Sequence, residues 1–515
     1  MTAILAHPGT APPAPAEPAP TEKGGPRASA VAGAIVLLGV ALVPLLVAGI
    51  LGSDVRGRIV VGAVGVALLA LAGLVLVRGL PASSDGISRW RIGHWYLLWS
   101  LFAFGIASMT WLQPQTGSAA QITLDSIVAG LVICGVTLLA WLFGYLLGPP
   151  RPLVDLVGGA LARVYRGSAP AFGGGARPWL LYGAGLAARY ATTLLSGGYG
   201  YIGNAAAAVS SATAYGQALA ILATLCVFAV AVAAYRYFAS DRRESGVTLL
   251  VLVVAELTIG AVGGTKESFV TTILAVLIPY GALRGRLPRK ALVASVVLFL
   301  LVVIPFNQAY RQTVRDTSYN MTPSQALGVA PEVLSRTVGN QVSPDGLVES
   351  GSYFLRRIRA VDYVAIIYQK TPVVIPYRSP TEFLVAPFVG MIPRALWPGK
   401  PILAGGYQFA QEYYGLPSTM YTSTPVTPQG DLLRHGGWTV LVGGMVLFGL
   451  VCRLLDRLLR PERDPRAIFF LLVFLPVLVK SEMDVNTLIA TVPVGIVTAL
   501  LGIWLACPRT RRRAS

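Results

Sequence analysis

The chain reads as an all-α polytopic membrane protein with about twelve transmembrane helices and one large, partly helical extracytoplasmic loop. Three observations predict this. Hydrophobic residues make up 54% of the 515 positions and charged residues 12%, more apolar and about half as charged as ordinary soluble domains. Apolar windows recur along the chain, each long enough to cross about 30 Å of hydrocarbon. They are continuous and rich in Ala, Leu and Gly without period-two alternation, which argues against closed β-strands.

The windows lie near 30–51, 59–79, 94–112, 124–147, 179–196, 213–237, 247–263, 268–284 and 289–307, and again near 435–455, 467–481 and 485–506. Residues 1–28, rich in Pro and Ala with mixed charges, cannot bury enough apolar surface to fold and read as a disordered cytoplasmic tail. They do not form a signal peptide, because the first apolar run starts late and is too long. Transmembrane helices 1–9 occupy 29–307, the polar loop 308–434, helices 10–12 435–506, and a basic tail 507–515.

Arginine and lysine in short loops set the orientation. Arg78, Arg89 and Arg91 follow the second window, Arg151, Arg163, Arg166 and Arg177 the fourth, and Arg236, Arg242 and Arg243 the sixth. Arg284, Arg286, Arg289 and Lys290 follow the eighth, Arg453 to Arg466 the tenth, and Arg509 and Arg511 to Arg513 the last. The loops at 113–122 and 197–212 carry neither residue type. Both termini are therefore expected in the cytoplasm of a multi-pass cell-membrane protein, with 308–434 outside. Membrane lipid is then the first partner, and anionic headgroups account for most of the +18 net charge, so nucleic acid is not expected as a partner.

Four cysteines, Cys134, Cys226, Cys452 and Cys507, fall in or at the ends of the windows, so no disulfide framework is implied. Three histidines and no paired Cys or His at ligand spacing give no zinc-site pattern, and no metal site is expected. The GYGYIG run at Gly198–Gly203 matches a nucleotide fingerprint only as letters. No strand precedes it, and it reads as a tight turn.

Ionisable residues inside the windows are costly and tend to be paired or functional. Arg189 and Glu256 are the two away from window ends. Either they form an ion pair between helices, or Arg189 faces an outward cavity where its guanidinium binds phosphate. Lys266, in GGTKESF at the outer face, is either a snorkelling lysine or a phosphate contact. In the loop, Arg311 and Arg315 stand one helical turn apart and can share a helix face. Arg356, Arg357, Arg359 and Asp362 lie in SYFLRRIRAVDYVAIIY, whose pattern suits an interfacial helix.

The segment Gly390 to Phe409, GMIPRALWPGKPILAGGYQF, is the loop's most informative part. It carries Ile392-Pro393-Arg394, Leu396-Trp397-Pro398 and Lys400-Pro401, then Gly406, Phe409 and Tyr414. The Gly430-Asp431 pair and Gly436-Gly437-Trp438, which enters the next helix, come after. In these motifs the chain resembles the bacterial oligosaccharide repeat-unit polymerases, the O-antigen or Wzy-type polymerases. The motifs cover about a tenth of the chain, while the many helices and single large loop agree over nearly all of it. Lys266 departs from the arginine common at that turn of the family, and His435 has no counterpart.

The resemblance implies a glycosyltransferase-C-like fold and a substrate in which an oligosaccharide hangs from a polyprenyl pyrophosphate. A sugar hydroxyl of one lipid-linked unit attacks the anomeric carbon of another, which leaves its lipid pyrophosphate. Such a reaction needs charge stabilisation of the leaving group and a base, and no cofactor is expected, since protein cations without a metal suffice. Arg394 is the first candidate for binding the pyrophosphate, with Lys400, Arg311, Arg315, Lys266 and Arg189 as further contacts. Trp397, Tyr407, Tyr413 and Tyr414 suit stacking on sugars or anchoring at the interface. Asp431 is the first candidate base, with Glu412 and His435 as rivals. A flippase and a chain-length regulator are partners expected by analogy. The alternatives are a solute or lipid-linked-glycan transporter, a glycan ligase, and a non-catalytic assembly factor; no internal repeat favours the transporter.

Overall fold

A computed structural model describes residues 26–50, 54–79, 90–196, 198–199, 202–203, 215–240, 242–316, 323–341, 344–400, 405–417, 424–480 and 482–509. Most of the tail expected at 1–28, and Arg89, Pro401 and Arg511 to Arg513, lie outside these. The regular structure among the described residues is helical apart from an antiparallel pairing of Gly198–Tyr199 with Ile202–Gly203 and an isolated bridge between Ser168 and Arg509. Among the described residues, nine helices are long and apolar enough to cross a membrane. They are α2 (Val55–Gly79), α3 (Ile92–Leu112), α4 (Leu124–Leu147), α7 (Gly216–Ser240), α8 (Arg243–Val262), α9 (Lys266–Arg284), α10 (Arg289–Thr313), α17 (Gly437–Leu458) and α19 (Val485–Ala506). Helices also stand at the other three expected positions: α1 (Pro26–Ile50), α6 (Arg177–Ser196) and α18 (Ala467–Lys480). The last has 14 residues, about 21 Å at 1.5 Å per residue. Between α4 and α6 runs α5 (Arg151–Tyr165). The polar segment supplies α11 (Pro323–Gln341), α12 (Pro344–Ile358), α13 (Val361–Lys370), α14 (Glu382–Met391), α15 (Gly405–Tyr414) and α16 (Pro428–Arg434).

The centre of the bundle is the crossing of α4 and α17, where two glycines let backbones touch. A Cβ on Gly144 would stand 2.0 Å from the Val446 carbonyl oxygen, and one on Gly449 would stand 2.0 Å from that of Trp141. Small residues at such a crossing allow the close packing that holds helices together where water gives no hydrophobic drive. Beside it, Trp141 stacks on Tyr96 and on Tyr145 with ring centroids 4.5 and 5.0 Å apart. Asp456 on α17 then caps α3, which lacks a side-chain cap of its own. Its carboxylate accepts from Ile92 N at 2.6 Å, Gly93 N at 3.1 Å and the Tyr145 hydroxyl at 2.7 Å.

A second group forms around α7, which packs on α6, α8 and α9. Arg189 on α6 and Glu256 on α8 meet there as a bidentate pair, with Nη1 and Nη2 at 2.8 and 2.9 Å from the two carboxylate oxygens. Glu256 is buried. The geometry is that of the interhelical ion pair, and it commits the Arg189 fork to a carboxylate. The α18–α19 pair joins the two groups, with α18 touching α3 and α9, and α19 touching α6.

The segment expected as an outer loop enters the bundle. The stretch expected as one interfacial helix breaks at Arg359–Ala360, where Ala360 N donates to the Ala103 carbonyl at 3.1 Å. Beyond the break, α13 is buried against α4, with Val361 and Ala365 lying over Gly130. Arg359 turns inward: Nε reaches Asp362 at 2.9 Å, Nη1 reaches Thr110 Oγ1 at 2.9 Å, and the guanidinium lies over Trp111. The apolar side that suited lipid thus packs on protein. Helix α16 is buried along its whole length against α17.

A valine at Gly449 should cost on the order of 4 kcal/mol or more, because a carbonyl on a neighbouring helix must move. Gly449→Val should therefore lose most of its monodisperse detergent-extracted protein by size-exclusion chromatography. Gly443→Ala, at a position where a Cβ meets nothing within 4 Å, should melt at or slightly above wild type, since Ala favours a helix by about 1 kcal/mol over Gly.

Candidate functional site

Two arrangements gather chemistry at the end of the bundle that carries α12, α13 and α16. The first is a cavity of about 310 Å³ among α3, α9, α10, α12 and α18. Its walls are apolar, built by Trp95, Trp99, Leu274, Phe299, Phe354, Leu475 and Pro476. Four cations line it, Lys266, Arg311, Arg357 and Lys480, together with Glu267 and Glu482.

The turn between α8 and α9 positions two of those cations. Gly264 has φ +64°, a left-handed conformation that glycine adopts without steric cost. Its carbonyl accepts from Asn307 Nδ2 and from Arg311 Nε, the latter at 3.0 Å. The Tyr310 hydroxyl donates to the Val262 carbonyl at 2.9 Å. These bonds hold the start of α9, with Lys266, against the part of α10 that carries Arg311. Across the cavity Lys480 Nζ sits 3.2 Å from both Glu267 and Glu482.

The second arrangement is a buried network on α16. Thr427 caps this helix through Gly430 N at 3.1 Å. Asp431, Arg434 and His435 follow at i, i+3 and i+4, so they share one face. Asp431 accepts from Arg434 Nε at 2.6 Å and from Val485 N at 2.7 Å, which ties α16 to the start of α19. His435 Nδ1 lies 2.7 Å from the Asp431 carbonyl, and Nε2 lies 3.3 Å from Glu382 Oε2. Arg434 Nη1 is buried and has no hydrogen-bond partner among the described residues.

Burial pushes the Asp431 carboxyl up, but the His435 hydrogen bond and the Arg434 charge outweigh it and hold the group below its ordinary value. Burial likewise pulls His435 down, and the hydrogen bond and charge of Asp431 raise it above the ordinary imidazole value. Both effects favour a charged pair. Asp431 and His435 are 0% exposed, whereas the Glu382 side chain is 46% exposed. The network therefore leaves Glu382 open to the surface and encloses Asp431. Sequence reasoning missed Glu382 because it lies 53 positions from His435; an acidic residue opening an apolar helix is the signal it offered.

The remaining candidates are dispersed. Arg394 Nη1 donates to the Pro398 carbonyl at 3.3 Å and Lys400 Nζ to the Ile392 carbonyl at 2.9 Å, closing IPRALWPGK on itself. Partial burial and the Arg394 charge lower the Lys400 pKa. The Trp397 carbonyl accepts from Lys400 N at 3.0 Å within this compact turn. None of the three lines the cavity, so the structure gathers Lys266 and Arg311 with Arg357 and Lys480 and leaves Arg394, Lys400 and Trp397 apart. Tyr414 is buried against Phe409 and offers no open ring face to a sugar. Glu412 pairs with Arg378. Arg315 falls on the continuation of α10, and its side chain lies outside the described residues.

The raised His435 value makes a stabilising contribution that is complete below the ordinary imidazole range and is lost as pH rises through the folded value. The charges facing it are Asp431 and Arg434 on α16 and Glu382 on α14, while Asp484 beside α19 acts on Asp431 and Arg434. His435→Gln should therefore melt well below wild type at pH 5.5, with a gap that narrows toward pH 9; a gap independent of pH in detergent melts would sink this assignment. The comparisons with known proteins give one family match, a domain of unknown function (DUF8712) over residues 192–410, which runs from the end of α6 to α15. No curated protein and no solved structure matches the chain.

Proposed function

We propose that the protein is a membrane glycosyltransferase that joins polyprenyl-pyrophosphate-linked oligosaccharide repeat units on the outer face of the cell membrane, a polymerase of GT-C-like architecture. The observation that carries this reading is the cavity, whose lining joins apolar walls to Lys266, Arg311, Arg357 and Lys480. A lipid pyrophosphate needs both parts: hydrocarbon surface for the prenyl chain, and cations for the phosphates. The motif resemblance around Arg394, Trp397 and Lys400 supports the same substrate.

In this mechanism the rim cations hold the pyrophosphate and stabilise the negative charge that grows on it as the glycosidic bond breaks. The attacking hydroxyl gives its proton to a carboxylate, and Glu382 is the exposed carboxylate of the α16 network. Buried Asp431 and His435 act as positioning residues: Asp431 fixes Arg434 and His435, and His435 faces Glu382. The Arg394–Lys400 turn serves as a further contact for pyrophosphate or glycan.

The test is an in-membrane assay with lipid-linked oligosaccharides from the source cell. Wild type should give a product ladder spaced by one repeat unit. Arg357→Ala should slow the ladder roughly tenfold to a hundredfold, the value of one charge-assisted contact, and Arg357→Lys should recover part of it. A ladder lost with Arg394→Ala but unchanged with Arg357→Ala would move the pyrophosphate site to the 390–400 turn. A single transfer without a ladder would make the enzyme a ligase. No product from folded wild type on intact substrate would overturn the glycosyltransferase reading.

A further inference from the structure

We infer that α14, Glu382–Met391, lies obliquely in the outer half of the membrane with one face immersed in lipid acyl chains. Its inner face is packed: Ala386, Val389 and Gly390 are buried, and a Cβ on Gly390 would stand 1.9 Å from the Ala490 carbonyl of α19. Its other face carries Leu384, Val385, Phe388 and Met391, exposed by 72, 53, 57 and 55%. A ten-residue helix apolar on all sides belongs in an apolar surround, since water would face the second side at a cost.

The occupant of that second side follows from what α14 rests on. Glu382, at its start, meets Asn486, the second residue of α19, and Gly390 meets Ala490, the sixth. Eight residues along α14 thus descend four along α19, about 6 Å at 1.5 Å per residue, so the helix enters at a slant. Below this contact α19 exposes Val492, Ile496 and Val497, the lateral face that a spanning helix offers to lipid. The exposed face of α14 is continuous with that belt. The Gly390 carbonyl accepts from Gln217 Nε2 at 2.8 Å, which satisfies a polar group that lipid could not. No charged residue stands between Glu382 and Arg394, so the run through α14 is wholly uncharged. This placement holds whatever the protein's substrate.

Val385→Cys and Phe388→Cys, each beside the four buried cysteines of the chain, with Glu332→Cys as a polar exposed reference on α11, test it in purified protein reconstituted into liposomes. A water-soluble maleimide is admitted to both faces by freeze–thaw. Both α14 positions should label at least about tenfold more slowly than the reference, and a fluorophore placed there should be quenched by brominated lipid, as for any group buried in the acyl region. Leu384→Cys provides a third position should either variant fail to give monodisperse protein. Labelling at the reference rate without quenching would overturn the inference. So would shielding in native membranes that disappears in pure liposomes, because a protein partner would then cover the face.

Discussion

The contact of α4 and α17 at Gly144 and Gly449 is the constraint from which the polar end of the molecule is built. Backbones that approach this closely fix the helices in axial register as well as in distance, because each glycine admits one carbonyl of its neighbour. With α4 held, α13 has a rigid surface at Gly130 on which to pack. With α17 held, α16 lies in a fixed place beside it, and Asp431 reaches the first amide of α19. The same crossing places Asp456 under the unsatisfied amides of α3, the helix that carries Trp95 and Trp99 into the cavity wall. Both chemical arrangements thus depend on an apolar, chemically silent contact.

The membrane plan was legible because its signal is local: a run such as Leu124–Leu147 can satisfy its backbone in lipid only as a helix. What escaped the sequence was partner choice. An apolar helix face reads the same against lipid as against protein, so SYFLRRIRAVDYVAIIY gave no sign that it would break at Ala360 and bury its second half. Asp456 and Ile92 are 364 positions apart, beyond the reach of any spacing rule. Lys266 and Arg311 stood out in the sequence as cations beside apolar windows, but their gathering with Arg357 and Lys480 required the fold. Tyr414 was misleading because aromatic residues that stack on sugars and those that fill a core share one composition.

Cations at this end of the bundle fall into two kinds, and their surroundings separate them. Arg189, Arg359 and Arg434 each meet a carboxylate at short range and are themselves at most a fifth exposed along the side chain. Removing one partner of such a pair strands a charge, which makes these pairs costly to break but weak evidence of ligand binding. Arg311 donates from Nε to a backbone carbonyl, that of Gly264, a neutral partner that orients the guanidinium.

That distinction bears on what the cavity would select. Lys480 lies 3.2 Å from both Glu267 and Glu482, and the cavity lining as a whole sets four cations against two carboxylates. Apolar walls raise the strength of any charge interaction beside them by lowering the local dielectric. The two carboxylates together repel a ligand's negative charge more strongly than that one lysine attracts it. A singly charged headgroup would gain little against that repulsion. A pyrophosphate offers several oxygens over a distance wide enough to meet separate guanidinium groups, and so gains from each cation while meeting the carboxylates at one edge. For the proposed substrate, the lining thus favours a ligand that reaches several cations at once over one that meets a single cation.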